Sequence, residues 1–297
     1  MSMLVRVAQK GLIHPPKWLP ENTHYLVMMG SEAYGCSSGK SDQDLYGWCI
    51  PPKELVFPHL AGEIMGFGRE KKRFEVWQQH HVDDKESQRQ YDFAIYSVVK
   101  FVHLCMENNP NMVDALFVPT RCVLHCTQVG NIVRENKRLF LHKGCWAKFK
   151  GYSYSQLHKM AIKNPEPGSK RYDSIKEHGF DVKFAYHVVR LMLEVEQMLV
   201  EHDLDLERNR EVLKAIRRGE WTEQRIRDFF SEKEKSLEEL YHKSTLPYGP
   251  DEDAIKAVLM KVLEQHYGSL DGAVKELDAE KKCLWEVQAV LERYGFR

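Results

Sequence analysis

Asp42 and Asp44 stand one residue apart in the strand-like segment SDQDLYGWCI, twelve residues after the pair Gly30-Ser31. Side chains alternate along a strand, so these carboxylates share a face that Gln43 and Leu45 do not. Like charges so placed repel each other. A hard cation such as Mg2+ or Mn2+, which takes oxygen ligands and brings substrate phosphates with it, relieves that repulsion. Gly30 ends the apolar run Tyr25 to Met29 and permits close backbone approach. A short helix near Glu32 to Cys36 would aim free N–H groups, beside the Ser31 hydroxyl, at an anion. The order reads as a phosphate seat followed by a metal seat. A Gly-Ser turn and an Asp-x-Asp hairpin each also occur without function, and it is their joint spacing behind an apolar strand that gives them weight.

A third carboxylate, Asp92, sits between Tyr91 and Phe93 where a strand feeds a helix carrying Ile95, Val98, Val99, Val102 and Cys105 at helical spacing. Burying it among aromatics is costly unless it is paired or metal-bound, which makes it the candidate third ligand. The alternative is an N-cap for the following helix. Asp83 and Asp84 compete for the role but lie in the turn-like run Val82 to Gln88.

Two further groups could meet anions. The helix predicted over Asp181 to Glu201 places Lys183, His187 and Arg190 on one face by spacings of four and three. Cations near a helix's positive end call for an anion, although a solvated face or an Arg190–Glu194 pair also accounts for them. In the second group, Lys148, Lys150, Lys159 and Lys163 interleave with Trp146, Phe149, Tyr152 and Tyr154. That mixture suits a surface where phosphates are held and bases stack, and equally an ordinary amphipathic helix.

The elements that must position these residues follow from periodicity. Residues 1–23, with Pro15, Pro16 and Pro20, read as an irregular or edge-strand lead-in. Strands follow at Tyr25 to Met29, Gln43 to Ile50 and Phe74 to His80, then helices at Ile95 to Glu107, Val113 to Phe117 and Thr127 to Asn136. Asn108-Asn109-Pro110-Asn111 stops the first of these helices. Beyond Leu141 the period is helical almost to the end, with a Pro/Gly-rich loop predicted at Asn164 to Gly179. The expectation is an α+β molecule: residues 1–140 form a domain with a mixed sheet flanked by helices, and residues 141–297 form an all-helical domain. A charged last helix, Ala273 to Tyr294, carries Leu284, Val287 and Leu291, a spacing for covering the core or for self-association.

With 297 residues, of which 43% are hydrophobic, the chain can bury a full core and is not disordered. No apolar run approaches the length of a membrane helix, and a cytoplasmic location is expected. Seven cysteines without paired spacing suit a reducing compartment, and Cys122, His125 and Cys126 lack the second ligand pair of a zinc finger. The net charge of zero excludes coating of long nucleic acid by electrostatics alone. The charge is nonetheless polarised: residues 134–176 hold eleven Lys/Arg and three Asp/Glu, whereas residues 201–297 hold seventeen and twenty-two.

Taken together, Gly30-Ser31 followed by Asp42-x-Asp44 resembles the DNA polymerase beta nucleotidyltransferase superfamily. More narrowly, GSEAYG, SDQDLYG, KFVHL with NPN, GYSYSQL and DVKFAYHVVRLM resemble the bacterial and phage RNA-repair-pathway DNA polymerase beta proteins, over residues 24–265. The resemblance implies a palm-like sheet domain followed by a helical domain. It implies transfer of a nucleoside monophosphate from an NTP to an acceptor hydroxyl, an RNA or tRNA end, with a repair ligase as a partner. Asp42, Asp44 and Asp92 would be the catalytic carboxylates and ligands of two Mg2+ or Mn2+ ions. Gly30, Ser31, Tyr34, Ser41, Lys183, His187 and Arg190 would contact the nucleotide, and Lys148, Lys150, Tyr152, Tyr154 and Lys159 the acceptor. A protein or small-molecule acceptor, or a non-catalytic nucleotide- or RNA-binding partner of a ligase, are the alternatives.

Overall fold

The computed structural model describes residues 2–37, 42–56, 73–162, 165, 167–168, 170–268, 287–288, 290–291 and 294. The strands β1 (Thr23–Met28), β2 (Gln43–Cys49), β3 (Val76–Asp84), β4 (Arg89–Ser97) and β5 (Val123–Cys126) make one mixed sheet in the order β3-β4-β2-β1-β5. β2 and β4 run parallel, and the other neighbours are antiparallel.

Alternation along the strands sorts side chains to two faces. Leu26, Leu45, Cys49, Phe93 and Ile95 point one way and pack against Leu4 and Val7 of α1 (Met3–Gln9), with Ile13 and Leu19 from the segment after it. Tyr25, Val27 and Trp48 point the other way, into a core built with α3 (Val98–Met106), α4 (Pro110–Phe117) and α5 (Gln128–Glu135). A short helix, α2 (Lys53–Val56), follows β2. Phe93 and Phe101 are fully buried, each contributing about 1.5–3 kcal/mol by removal from water.

Beyond residue 141 the described chain is helical: α6 (Gly144–Ile162), α7 (Lys170–His178), α8 (Val182–Glu201), α9 (Arg210–Arg217), α10 (Glu223–Lys243) and α11 (Glu252–Tyr267). The core on this side of the sheet runs without a break from Tyr25 to Val262, so these helices share it with the strands. Their starts are fixed locally: Asp181 caps α8, Thr222 caps α10 and Asp251 caps α11, each through a side-chain oxygen accepting a backbone N–H. Asn109 does the same for α4, with Pro110 opening the helix.

Four local expectations change. The lead-in is not extended: Leu4 and Val7 give it a helical stripe, and Ser2 caps α1. Residues 31–35 form consecutive turns instead of a helix, with Ala33 N bonded to Gly30 O at 3.1 Å and Cys36 N to Ser31 O at 2.8 Å. β3 extends through Asp84, so the turn starts at Lys85. The predicted loop at 164–179 contains α7, anchored by Arg171 to Asp181 at 3.1 Å. The last helix lies almost wholly outside the described residues.

Candidate active site

Asp44 and Asp92 are register partners in the parallel pair β2–β4. Both lie on the sheet face that carries Trp48, at its open end, and both are half-buried. The N-cap alternative for Asp92 does not hold, because β4 continues to Ser97 and Ser97 itself caps α3. Asp83 and Asp84 do not join Asp44. Asp83 accepts from Gln90 Nε2 at 2.8 Å, and Asp84 accepts from Glu86 N at 3.1 Å and faces Lys10, just after α1.

The turn after β1 closes over this pair. Gly30 has φ +64, and a Cβ there would overlap the Asp44 carboxylate, so glycine is required both by conformation and by space. Met29 N donates to Asp44 O at 2.7 Å, tying the turn to β2. Asp42, exposed just before β2, completes the acidic group. Ser41 lies outside the described residues, as does Lys163.

Burial pushes the Asp44 carboxyl above the usual carboxylate range. Lys183 opposes that shift, Asp92 and Asp42 add to it, and His80 opposes it weakly. Lys183 is exposed in the first turn of α8, so α8 brings one cation to the acidic group. Asp92 Oδ1 accepts the backbone N–H of His81 at 2.7 Å, and His80 Nδ1 lies 3.6 Å from the same oxygen.

The donor set of Asp42, Asp44 and Asp92 is all carboxylate oxygen, two members in register and mutually repelling, which fits a hard divalent cation. Among the described residues no group of three or more His, Cys, Asp or Glu stands close enough to hold a metal outright. Cys122, His125 and Cys126 are no exception. Cys122 is buried in the core, and Cys126 contacts Asn131 Oδ1 at 3.1 Å. The six described cysteines are all free thiols.

The cationic stripe on α8 takes a different form from the one expected. Arg190 is buried, ion-paired with Asp114 and bonded to Glu194 at 3.0 Å and to Tyr34 Oη at 2.6 Å. Tyr34 donates in turn to Asp114 at 2.6 Å. Arg190 and Tyr34 are therefore engaged in joining α4, α8 and the turn after Gly30, both buried within that junction. His187 is not cationic. Burial, with Arg190, Lys183, Arg171 and Arg217 adding to it, pushes its imidazole well below the ordinary range. Of the three, Lys183 alone is exposed.

Two of these neighbours were not evident in the sequence. Arg217 of α9 donates to Cys36 O at 2.8 Å, holding the end of the turn that Gly30 opens, and Arg171 of α7 stacks on Phe184 at 4.3 Å. Their link to the site comes only through the folding of α7 and α9 against α8. The basic aromatic section also resolves. Trp146 and Phe149 are core; Lys148 pairs with Glu107 at 3.5 Å; Lys150 pairs with Glu234 at 2.8 Å; and Tyr154 donates to Glu234 at 2.7 Å. Tyr152 accepts from Asn109 Nδ2 at 3.3 Å, and Lys159 is exposed.

Among the described residues no helix is long and apolar enough to cross a membrane. Comparison with solved structures finds a nucleotidyltransferase-like protein from Exiguobacterium sibiricum 255-15, with a TM-score of 0.29 and 9% identity over 90% of this chain and 74% of that one. No curated protein sequence matches. The model of the RNA repair pathway DNA polymerase beta family matches residues 8–264, most of the chain, and the protein belongs to that family.

Proposed function

We propose that the protein is a metal-dependent nucleotidyltransferase that moves a nucleoside monophosphate from an NTP to the hydroxyl of an RNA or tRNA end. The observation that carries this is the registered pair Asp44–Asp92 beneath Gly30, with Lys183 facing it. Asp42, Asp44 and Asp92 would hold two Mg2+ or Mn2+ ions. Such ions, when bound, polarise the phosphoryl oxygens and lower the pKa of the attacking hydroxyl. The chain's own share is electrostatic and positional. Gly30 and Ser31 let the triphosphate approach the backbone, Lys183 offsets its charge from across the cleft, and the sheet holds the carboxylates in register. The hydroxyl oxygen bonds to the α-phosphorus as the bond to pyrophosphate breaks, and the hydroxyl proton leaves to solvent.

The pairing of Lys148, Lys150 and Tyr154 with glutamates favours a second reading, in which the acceptor is a protein hydroxyl or a small molecule. One matrix of α-labelled NTPs against acceptors, with Mg2+, separates the two. Label in cleaved RNA or tRNA that resists protease supports the first. Label that survives RNase but not protease selects the second, and no transfer to any acceptor in a broad panel refutes both. A repair ligase remains the partner to include in that panel.

A further inference from the structure

β3 and β4 are paired from Val76↔Tyr96 to Gln79↔Phe93, and again from Val82↔Tyr91 to Asp84↔Arg89. Between these stretches the register slips, so His80 and His81 together oppose the single residue Asp92. His81 sits at φ +55, in the left-handed region. Its N–H, which in an unbroken ladder would meet a backbone carbonyl or solvent, donates to Asp92 Oδ1 at 2.7 Å. Asp92 Oδ2 accepts no hydrogen bond among the described residues. The His80 ring is 3.6 Å from Oδ1 and its side chain 55% exposed, too far and too wet to orient the carboxylate.

We infer that the His80–His81 bulge is a positioning device for the third carboxylate: the His81 N–H fixes Asp92 beside Asp44 and leaves its second oxygen for a divalent cation. The inference rests on the proposed metal site. It differs from a structural role of the bulge because β3 is an edge strand among the described residues and both histidines are exposed, so neither ring contributes to the core. Loss of a group that orients a ligand costs about 10- to 100-fold in metal affinity.

The test is titration of the full-length chain with Mn2+ alone. Glycine accepts a positive φ and keeps the N–H; valine, β-branched, resists it. His81→Gly and His80→Ala should bind Mn2+ within about threefold of wild type, and His81→Val about tenfold or more weakly. Wild-type affinity in His81→Val, or a tenfold loss in His80→Ala, would overturn the inference. Asp44→Asn serves as the control for the site itself. Undiminished binding there removes the metal seat and the inference with it, whereas loss there without loss in His81→Val overturns the inference alone. Amide hydrogen exchange gives a reading that needs no valine variant to fold: His81 N–H should be protected in wild type and exchange freely in Asp92→Ala. Equal exchange in the two would contradict the bond's role.

Discussion

Arg190 offers the sharpest test of how the structure reassigns a residue that its spacing placed on a phosphate-binding face. Replacing it by methionine keeps most of the side-chain volume and removes the charge. The expected loss is about 3–5 kcal/mol, the range for stripping one partner from a buried ion pair. The structure points the same way. Asp114 and Glu194 are both buried, and burial pushes both carboxyls upward while Arg190 pulls them back. Without the guanidinium, Asp114, whose ordinary value is 3.8, must be neutral to stay buried at pH 7. Holding it so across about three pH units, at about 1.36 kcal/mol each, costs about 4 kcal/mol. A carboxyl whose folded pKa is raised destabilises above its unfolded pKa and is relieved as the pH falls toward it. The deficit of Arg190→Met should therefore shrink to about 1 kcal/mol by pH 4.5. Urea unfolding followed by circular dichroism at the two pH values measures it, and adding Asp114→Asn should restore part of the loss at pH 7, Glu194 still lacking its partner. A deficit below about 1 kcal/mol at pH 7, or one equally large at both pH values, would refute the reasoning.

Three other outcomes follow from particular contacts. His24 Nε2 lies 2.9 Å from His266 Nδ1, and His24 Nδ1 lies 2.8 Å from Thr127 Oγ1. Burial, with His266 and His125 adding to it, lowers His24 to about 4 from 6.5. Because the folded value is the lower one, stability is lost as the pH falls from 6.5 toward 4, by up to roughly 3 kcal/mol. Melting temperatures across that range should fall less steeply in His24→Gln. Gly30→Ala meets both a positive φ and the Asp44 carboxylate, so it should lose about 1 kcal/mol or more in a denaturant titration and weaken Mn2+ binding. Lys183→Ala should weaken Mg-NTP binding about tenfold in calorimetry, equivalent to about 1.4 kcal/mol, without lowering the melting temperature.

The candidate carboxylates stood out in the sequence because their signal is local. The spacing of Asp42 and Asp44 drew attention to both, although Asp42 stands just before β2; the aromatic flanks of Asp92 marked it as a carboxylate needing a partner, and Asp181 announced the start of α8. What sequence spacing could not carry is contact across distance. Arg190 matched Glu194 four residues on, but its other carboxylate, Asp114, is 76 residues away. Lys148 and Lys150 read as free cations because Glu107 comes from the end of α3 and Glu234 from α10. The bulge at His80–His81 leaves no compositional mark, since histidine is neither glycine nor asparagine, and only the strand register reveals it. α1 and α7 were hidden by the prolines and glycines beside them, whose turn-forming chemistry outweighed short helical stripes.

On the proposed function, Asp44 and Asp92, brought into register by parallel strands beneath Gly30, would form the seat of a metal-bound nucleotide. Calorimetric titration of Mg-NTP into wild type, Asp44→Asn and Asp92→Asn tests it most directly, since both substitutions keep the side-chain shape while removing the charge. The account predicts saturable, Mg2+-dependent binding by the wild type and its loss in both variants, with melting temperatures unchanged or raised by relief of the buried repulsion. Undiminished Mg-NTP affinity in either variant would contradict it.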